Sequence, residues 1–167
     1  MKLAILTTET IHHSYFVMEM SKKIKEIKVF VEKFIIQPPF DVFHSFERDR
    51  DKYELETWFS NKEPFLENYA ETNFFENVND AKLINSISIY NPNVVLVFGT
   101  SKIKEKLIKL YKNKILNLHG GNPEEYRGLD SHLWSIYHND FNNLVSCLHK
   151  VSLDLDTGDI VKKKKIN

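Results

Sequence analysis

The sequence predicts an α/β fold of three layers with a mostly parallel sheet, on two observations. Short apolar runs alternate with amphipathic stretches in the order strand, helix, strand, helix, strand, the signature of βαβ units whose sheet is covered on both faces. The runs Leu3-Ala4-Ile5-Leu6 and Val94-Val95-Leu96-Val97-Phe98 are continuously apolar, as strands of a buried parallel sheet are. Open sheets of this kind hold ligands beyond the carboxyl ends of their strands, so candidate chemistry is sought there.

Taken in order, Leu3–Leu6 is the first strand and Thr7 to His13 reads as a polar loop. Tyr15, Phe16, Met18, Met20, Ile24 and Ile27 fit a helix from Ser14 to Ile27, with Ser14 as its N-cap. Lys28-Val29-Phe30-Val31 is a second strand running towards Phe34-Ile35-Ile36 and stopped at Pro38-Pro39. The charged and aromatic stretch that follows carries a helix over Glu47 to Phe59, anchored on the core by Trp58-Phe59, and a shorter helix after Pro64. Leu83, Ile84, Ile87 and Ile89 predict a helix over Ala81 to Tyr90, ended by Asn91-Pro92. After Val94–Phe98, Gly99-Thr100-Ser101 is a turn and Lys102 to Tyr111 an amphipathic helix. Lys114 to Leu118 returns as a strand, Asp130 to Tyr137 is helical, and Asn143 to Val151 is strand-like. Lys162 to Lys165 reads as a solvated end. No internal repeat or Gly/Ser/Pro linker interrupts residues 1–167, which form a single domain.

Lys plus Arg and Asp plus Glu both number 23, so the formal net charge is zero. That balance argues against a nucleic-acid partner. The single Cys147 excludes an internal disulfide or multi-cysteine metal site and reads as a small buried hydrophobe. His132 and His138 lack a third ligand at metal spacing, so no metal is expected. No apolar run reaches the roughly 18 residues of a membrane span. Met1-Lys2 leads straight into a strand, so no membrane association and a cytoplasmic location are expected. All five glycines lie between Gly99 and Gly158, so a glycine-rich phosphate loop or dinucleotide fingerprint after the first strand is excluded.

The chemistry concentrates in Leu116-Asn117-Leu118-His119-Gly120-Gly121-Asn122-Pro123-Glu124-Glu125-Tyr126-Arg127-Gly128-Leu129-Asp130. Asn117 and His119 are two apart in an extended chain, so their side chains share a face. The glycines and proline turn the backbone and leave room for a ligand against it. Thirty-seven residues after His119, Leu155-Asp156-Thr157-Gly158 places a carboxylate before another turn. A carboxamide, an imidazole and a carboxylate meeting at strand ends suit acyl transfer. The first two can donate to an oxyanion, the imidazole can move a proton, and the carboxylate can orient it. The plainer alternative has Asn117 capping a turn, His119 packing at a strand end and Asp156 forming an Asx-turn with Gly158. Trp58, Phe59, Phe74 and Phe75 could stack a nucleotide base, although core packing or a subunit contact explains them more simply.

Asn117-Leu118-His119, then Tyr126-Arg127-Gly128, then Leu155-Asp156-Thr157-Gly158, resembles the catalytic core of the 10-formyltetrahydrofolate-dependent formyltransferases. The resemblance covers roughly residues 94 to 160 and implies the Rossmann-like formyltransferase fold. His119-Gly120-Gly121-Asn122-Pro123-Glu124, with Leu129-Asp130-Ser131-His132-Leu133-Trp134 and the opening Thr7 to Phe16, is most similar to the branch acting on nucleotide-linked (dTDP) amino sugars.

This resemblance implies that the formyl donor is 10-formyltetrahydrofolate, used without a metal. It implies as acceptor the amine of a dTDP-amino-dideoxyhexose such as dTDP-4-amino-4,6-dideoxyglucose. By the same resemblance Asn117 and His119 bind the developing oxyanion, and Asp156 positions His119 or a water. Phe98, Gly99, Thr100, Leu155 and Asp156 would then border the donor. His12, His13, Gly120, Gly121, Tyr126, Arg127, Asp130 and Trp134 would face the acceptor, although Tyr126-Arg127-Gly128 equally suits a structural hinge and His12-His13 a surface pair. Only 11 residues follow Asp156, so neither the family's C-terminal extension nor an RNA-binding domain is expected on this reading. A homodimer is compatible with this reading. A non-catalytic nucleotide-sugar or folate-binding relic and a formyltransferase of a purine-pathway amine remain as alternatives.

Overall fold

Leu3 to Leu6 has no polar side chain to offer water and lies at the middle of strand β1 (Lys2–Thr7), buried on both faces. Residues 1–33 and 46–166 are described by the structure, a computed structural model. After β1 come α1 (Ile11–Ser21), β2 (Glu26–Glu32), α2 (Glu47–Phe59), β3 (Glu71–Phe75), α3 (Ala81–Tyr90), β4 (Val94–Phe98) and α4 (Glu105–Leu110). The chain then forms β5 (Ile115–His119), α5 (Ser131–Tyr137), β6 (Val145–Lys150) and β7 (Ile160–Lys165). One seven-stranded sheet has the order β3-β2-β1-β4-β5-β6-β7. Strands β1 to β5 are parallel, while β6 and β7 add antiparallel. The sheet is therefore mostly parallel and three-layered, as the apolar runs predict.

Alternating β1 side chains feed two cores. Ala4 and Leu6 pack with Phe30, Val97 and residues of α3 and α4 on one face. Leu3 and Ile5 pack with Val17 of α1, Val29, Val31 and Leu66 on the other. Strand order reverses direction between β1 and β4, and the crevice at that switch point opens beyond their carboxyl ends.

Several boundaries differ from the sequence reading. Helix α1 begins at Ile11 because extended Thr10, not Ser14, is its N-cap; the Thr10 hydroxyl accepts the His13 N–H at 3.3 Å. The helix ends at Ser21, and Ile27 joins β2 against Leu3. Helix α4 starts at Glu105, later than expected, because Lys104 is extended and its N–H is taken by Asn79 Oδ1 at 2.7 Å. The expected short helix after Pro64 is a single 3-10 turn, Leu66–Asn68. Strand β3 is not anticipated by the sequence, since its residues Glu71–Phe75 carry no buried run. The closing lysines form the edge strand β7, with Lys163 reaching Asn122 at 2.9 Å and Glu124 at 2.7 Å. A lysine-rich edge discourages further strand pairing. The expected run to Phe34-Ile35-Ile36 and the stop at Pro38-Pro39 lie outside the described residues. Phe59 is buried, Trp58 stacks on Tyr15 at 4.4 Å, and Cys147 is fully buried in β6.

Candidate active site

At the switch point the ends of β1 and β4 are tied together. The Thr7 hydroxyl donates to the Phe98 carbonyl at 2.9 Å. Gly99 follows with φ +75°, and a Cβ there would stand 2.3 Å from the His13 ring, so only glycine fits. His13 is buried, with Thr8 Oγ1 2.9 Å from its Nδ1. Burial, reinforced by the neighbouring His12, pushes its pKa down to about 3, so the ring is neutral at physiological pH. His12 Nδ1 meets the buried Glu54 of α2 at 3.3 Å.

Asn117 and His119 project from the carboxyl end of β5 on one side of the strand, two residues apart. Asp156 reaches them from the β6–β7 connection, at φ +52°, with its side chain 6% exposed. Asn117 Nδ2 donates to Asp156 Oδ1 at 3.3 Å, and His119 Nδ1 lies 3.7 Å from Asp156 Oδ2. The other His119 nitrogen, Nε2, donates to the Tyr126 carbonyl at 3.0 Å. The Gly128 N–H donates to Asp156 Oδ2 at 2.8 Å, which ties the Tyr126-Arg127-Gly128 turn to the carboxylate.

A fourth group completes the cluster. His149 sits directly opposite Asn117 in the β5–β6 register and is 2% exposed. Its Nδ1 donates to the Lys150 carbonyl at 2.8 Å, leaving Nε2 to accept from Asn117 Nδ2 at 3.1 Å. Nε2 is also 3.4 Å from Asp156 Oδ1. Burial alone would raise the Asp156 pKa, but the adjacent His149 imidazole, the Gly128 N–H and the nearby His119 outweigh it, holding the carboxyl below its ordinary value. The sequence reading missed His149. The available signal was its place in the Val145, Cys147, His149 alternation, where an apolar residue belongs.

These groups share a cleft of about 600 Å³. Of the residues singled out from sequence, Asn117, His119, Asp156, Phe98, Gly99, Thr100, Leu155, His12, His13, Gly120 and Asp130 line it. Four others lie outside that lining. Gly121 is packed so tightly on α5 that a Cβ would stand 2.6 Å from Ser131 Cβ. Tyr126 donates its hydroxyl to Asp140 at 3.1 Å, and Arg127 donates Nε to the Pro123 carbonyl at 3.0 Å within its own loop. Trp134 is exposed on α5, stacked with His138. Trp58, Phe59, Phe74 and Phe75 are likewise outside the lining. His132, named from sequence in the Leu129–Trp134 motif and as a metal ligand lacking partners, lines the cleft with its pKa lowered chiefly by burial. Among the described residues no group of three or more His, Cys, Asp or Glu side chains is placed to hold a metal ion, and no helix is long and apolar enough to cross a membrane.

A mostly parallel sheet thus carries an Asn-His-Asp cluster in the crevice beyond its strand ends, where open sheets of this kind hold ligands. The family model described as formyl transferase matches residues 1–167, and the chain belongs to that family. A methionyl-tRNA formyltransferase from Finegoldia magna is 33% identical over 92 residues, covering 54% of this chain and 29% of that one. The match thus spans less than a third of that relative's length. Among solved structures, glycinamide ribonucleotide transformylase 1 from Symbiobacterium toebii superimposes with a TM-score of 0.65 at 13% identity, covering 97% of this chain and 71% of that one. A Mycobacterium tuberculosis protein provisionally described as a sugar N-formyltransferase gives a TM-score of 0.63 at 16% identity, covering 99% and 54%. Both structural likenesses bear on the fold.

Proposed function

We propose that this chain transfers a formyl group from 10-formyltetrahydrofolate to the amine of a nucleotide-linked amino sugar, of the dTDP-amino-dideoxyhexose class. The observation that carries the reading is the convergence of Asn117, His119, His149 and Asp156 on one wall of a single cleft.

The cleft suits a flat, partly polar donor. Its size falls in the usual range for a small-molecule site. It joins apolar walls (Val97, Phe98, Ile103, Leu155) to backbone at Gly99 and Thr100 that could hydrogen-bond a heterocycle. When bound, the folate supplies an activated formyl carbon for an amine to attack. Asn117 then donates to the formyl oxygen as it gains negative charge, and His119 does so through its Nε2–H by giving up the bond to the Tyr126 carbonyl, each an interaction worth about 100- to 1000-fold in rate for a well-placed donor. Both N–H groups of Asn117 are engaged, by His149 and Asp156, so the longer bond to Asp156 is the one exchanged for the oxyanion. As the bond from the formyl carbon to the folate nitrogen breaks, Asp156, held ionised, keeps His119 oriented and helps carry the proton from the amine to the leaving nitrogen. His149 fixes Asn117 and Asp156 relative to each other.

The His119-Gly120-Gly121-Asn122-Pro123-Glu124 loop and the likeness to the M. tuberculosis protein support the amino-sugar acceptor. The test is tetrahydrofolate release with 10-formyltetrahydrofolate and a panel of dTDP-3-amino and dTDP-4-amino sugars. Turnover is expected, with Asn117→Ala and His119→Ala each lowering kcat about 100-fold or more. Undiminished turnover in the double variant would remove these side chains from the chemistry. Turnover with glycinamide ribonucleotide alone would move the acceptor to a purine-pathway amine.

A further inference from the structure

Glu32 ends β2 with 2% exposure, and among the described residues no lysine or arginine pairs with it. Three donors hold it instead. The Val78 N–H reaches Oε1 at 2.8 Å, the Ser101 hydroxyl reaches the same oxygen at 2.6 Å, and the Ser101 N–H reaches Oε2 at 2.6 Å. A buried carboxylate without a counter-ion is costly, and it persists only where directed hydrogen bonds satisfy it. The formyl-transfer chemistry makes no use of this group.

Beside it, Asn79 grips the same loop from the β3–α3 turn. Asn79 Nδ2 donates to the Lys102 carbonyl at 3.0 Å, and Oδ1 accepts the Lys104 N–H at 2.7 Å. That turn is itself locked, since Asn77 Oδ1 accepts the Asn79 N–H at 2.9 Å and Asp80 accepts the Asn77 N–H at 3.1 Å. The loop running from Gly99 to Lys104 is therefore held at Ser101, Lys102 and Lys104 by Glu32 and Asn79, neither of which lines the cleft. The same loop lines the cleft through Gly99, Thr100, Ser101, Lys102 and Ile103.

We propose that Glu32 and Asn79 are positioning residues, a polar clamp that holds this loop in the shape the formyl donor requires. The inference rests on the reading of the cleft as a folate site and extends it to residues outside the cleft. A wall fixed in advance spares the donor the ordering cost on binding, so loosening it weakens donor affinity more than it slows the chemical step.

Glu32→Gln keeps the shape but faces an amide N–H towards a backbone N–H, and Asn79→Ala removes two contacts. For each, the expected result is a rise of about tenfold in the KM or Kd for 10-formyltetrahydrofolate, with kcat and the acceptor KM changed less than about threefold. Amide hydrogen exchange over residues 100–104 should accelerate in parallel. Should Glu32→Gln fail to fold, Asn79→Ala carries the measurement. Unchanged exchange in the variants overturns the clamp, as does faster exchange with an unchanged donor KM. A uniform fall in Tm, kcat and both affinities would mark a merely structural role and also overturns it. Wild-type protein that neither binds the folate nor transfers formyl overturns the reading of the site and the clamp together, an outcome distinct from active wild type with unaffected variants.

Discussion

At Gly158 the backbone comes so close to β6 that a Cβ would stand 1.9 Å from the Lys150 carbonyl oxygen. The same oxygen accepts the His149 Nδ1–H that orients this imidazole beside Asn117. Any side chain at 158 must therefore displace the carbonyl on which the cluster is hung. Gly158→Ala is expected to cost about 1–3 kcal/mol in urea unfolding, the range for overpacking a close contact. It should also lower formyl transfer about 100-fold, because catalytic groups misplaced by an ångström lose that much. At this scale the sequence is informative about residue types. Asn117, His119 and Asp156 carry acid, base and amide chemistry and sit beside the turn-formers Gly120, Gly121 and Gly158, so they are recognisable. His149 is not, because its role depends on which residue of β5 stands across from it.

Helix α1 shows how one element sets up the site. Its N-terminal turn carries His12 and His13 into the cleft, and extended Thr10 stops the helix from starting earlier while capping it. Thr10→Ala should lower stability by about 1 kcal/mol, the usual loss for a threonine cap. Far-UV circular dichroism and a denaturant midpoint would register it, whereas a midpoint equal to wild type would show that the cap is dispensable. The periodic elements were legible: α3 spans Ala81–Tyr90 and β4 spans Val94–Phe98, where apolar spacing and the flanking turn residues agree. The elements read less well are those whose limits are set by a distant partner. Helix α4 is shortened by Asn79, Ile27 is drawn from the expected helix into β2, and β3 exists by pairing with β2.

For the whole molecule, the buried histidine beside Gly99 sets how stability depends on pH. His13 has an ordinary value of 6.5 and a folded value of about 3, so below 6.5 the unfolded chain takes up a proton that the folded chain refuses. Its contribution is complete above about pH 6.5 and is lost as pH falls from there towards 3, about 2 kcal/mol between pH 7 and 5 by proton linkage. Asp156 acts in the same sense at lower pH, since its depressed value gives stability present above its ordinary 3.8 and lost as pH falls through the folded value. Urea unfolding at pH 7 and pH 5 should show a steeper acid loss in wild type than in His13→Gln, and parallel losses would contradict the assignment. Alone, the sequence determined the layered α/β class, the main helices and strands, and the chemical character of three candidate site residues, because hydrophobic period and turn chemistry are local properties of a chain. The tertiary structure alone decided that His149 joins them, that Gly121, Tyr126, Arg127 and Trp134 serve the loop and α5 instead of the cleft wall, and that Glu32 and Asn79 grip the loop after β4. Those outcomes follow from strand register and from hydrogen bonds between residues far apart in the chain, which no local pattern encodes.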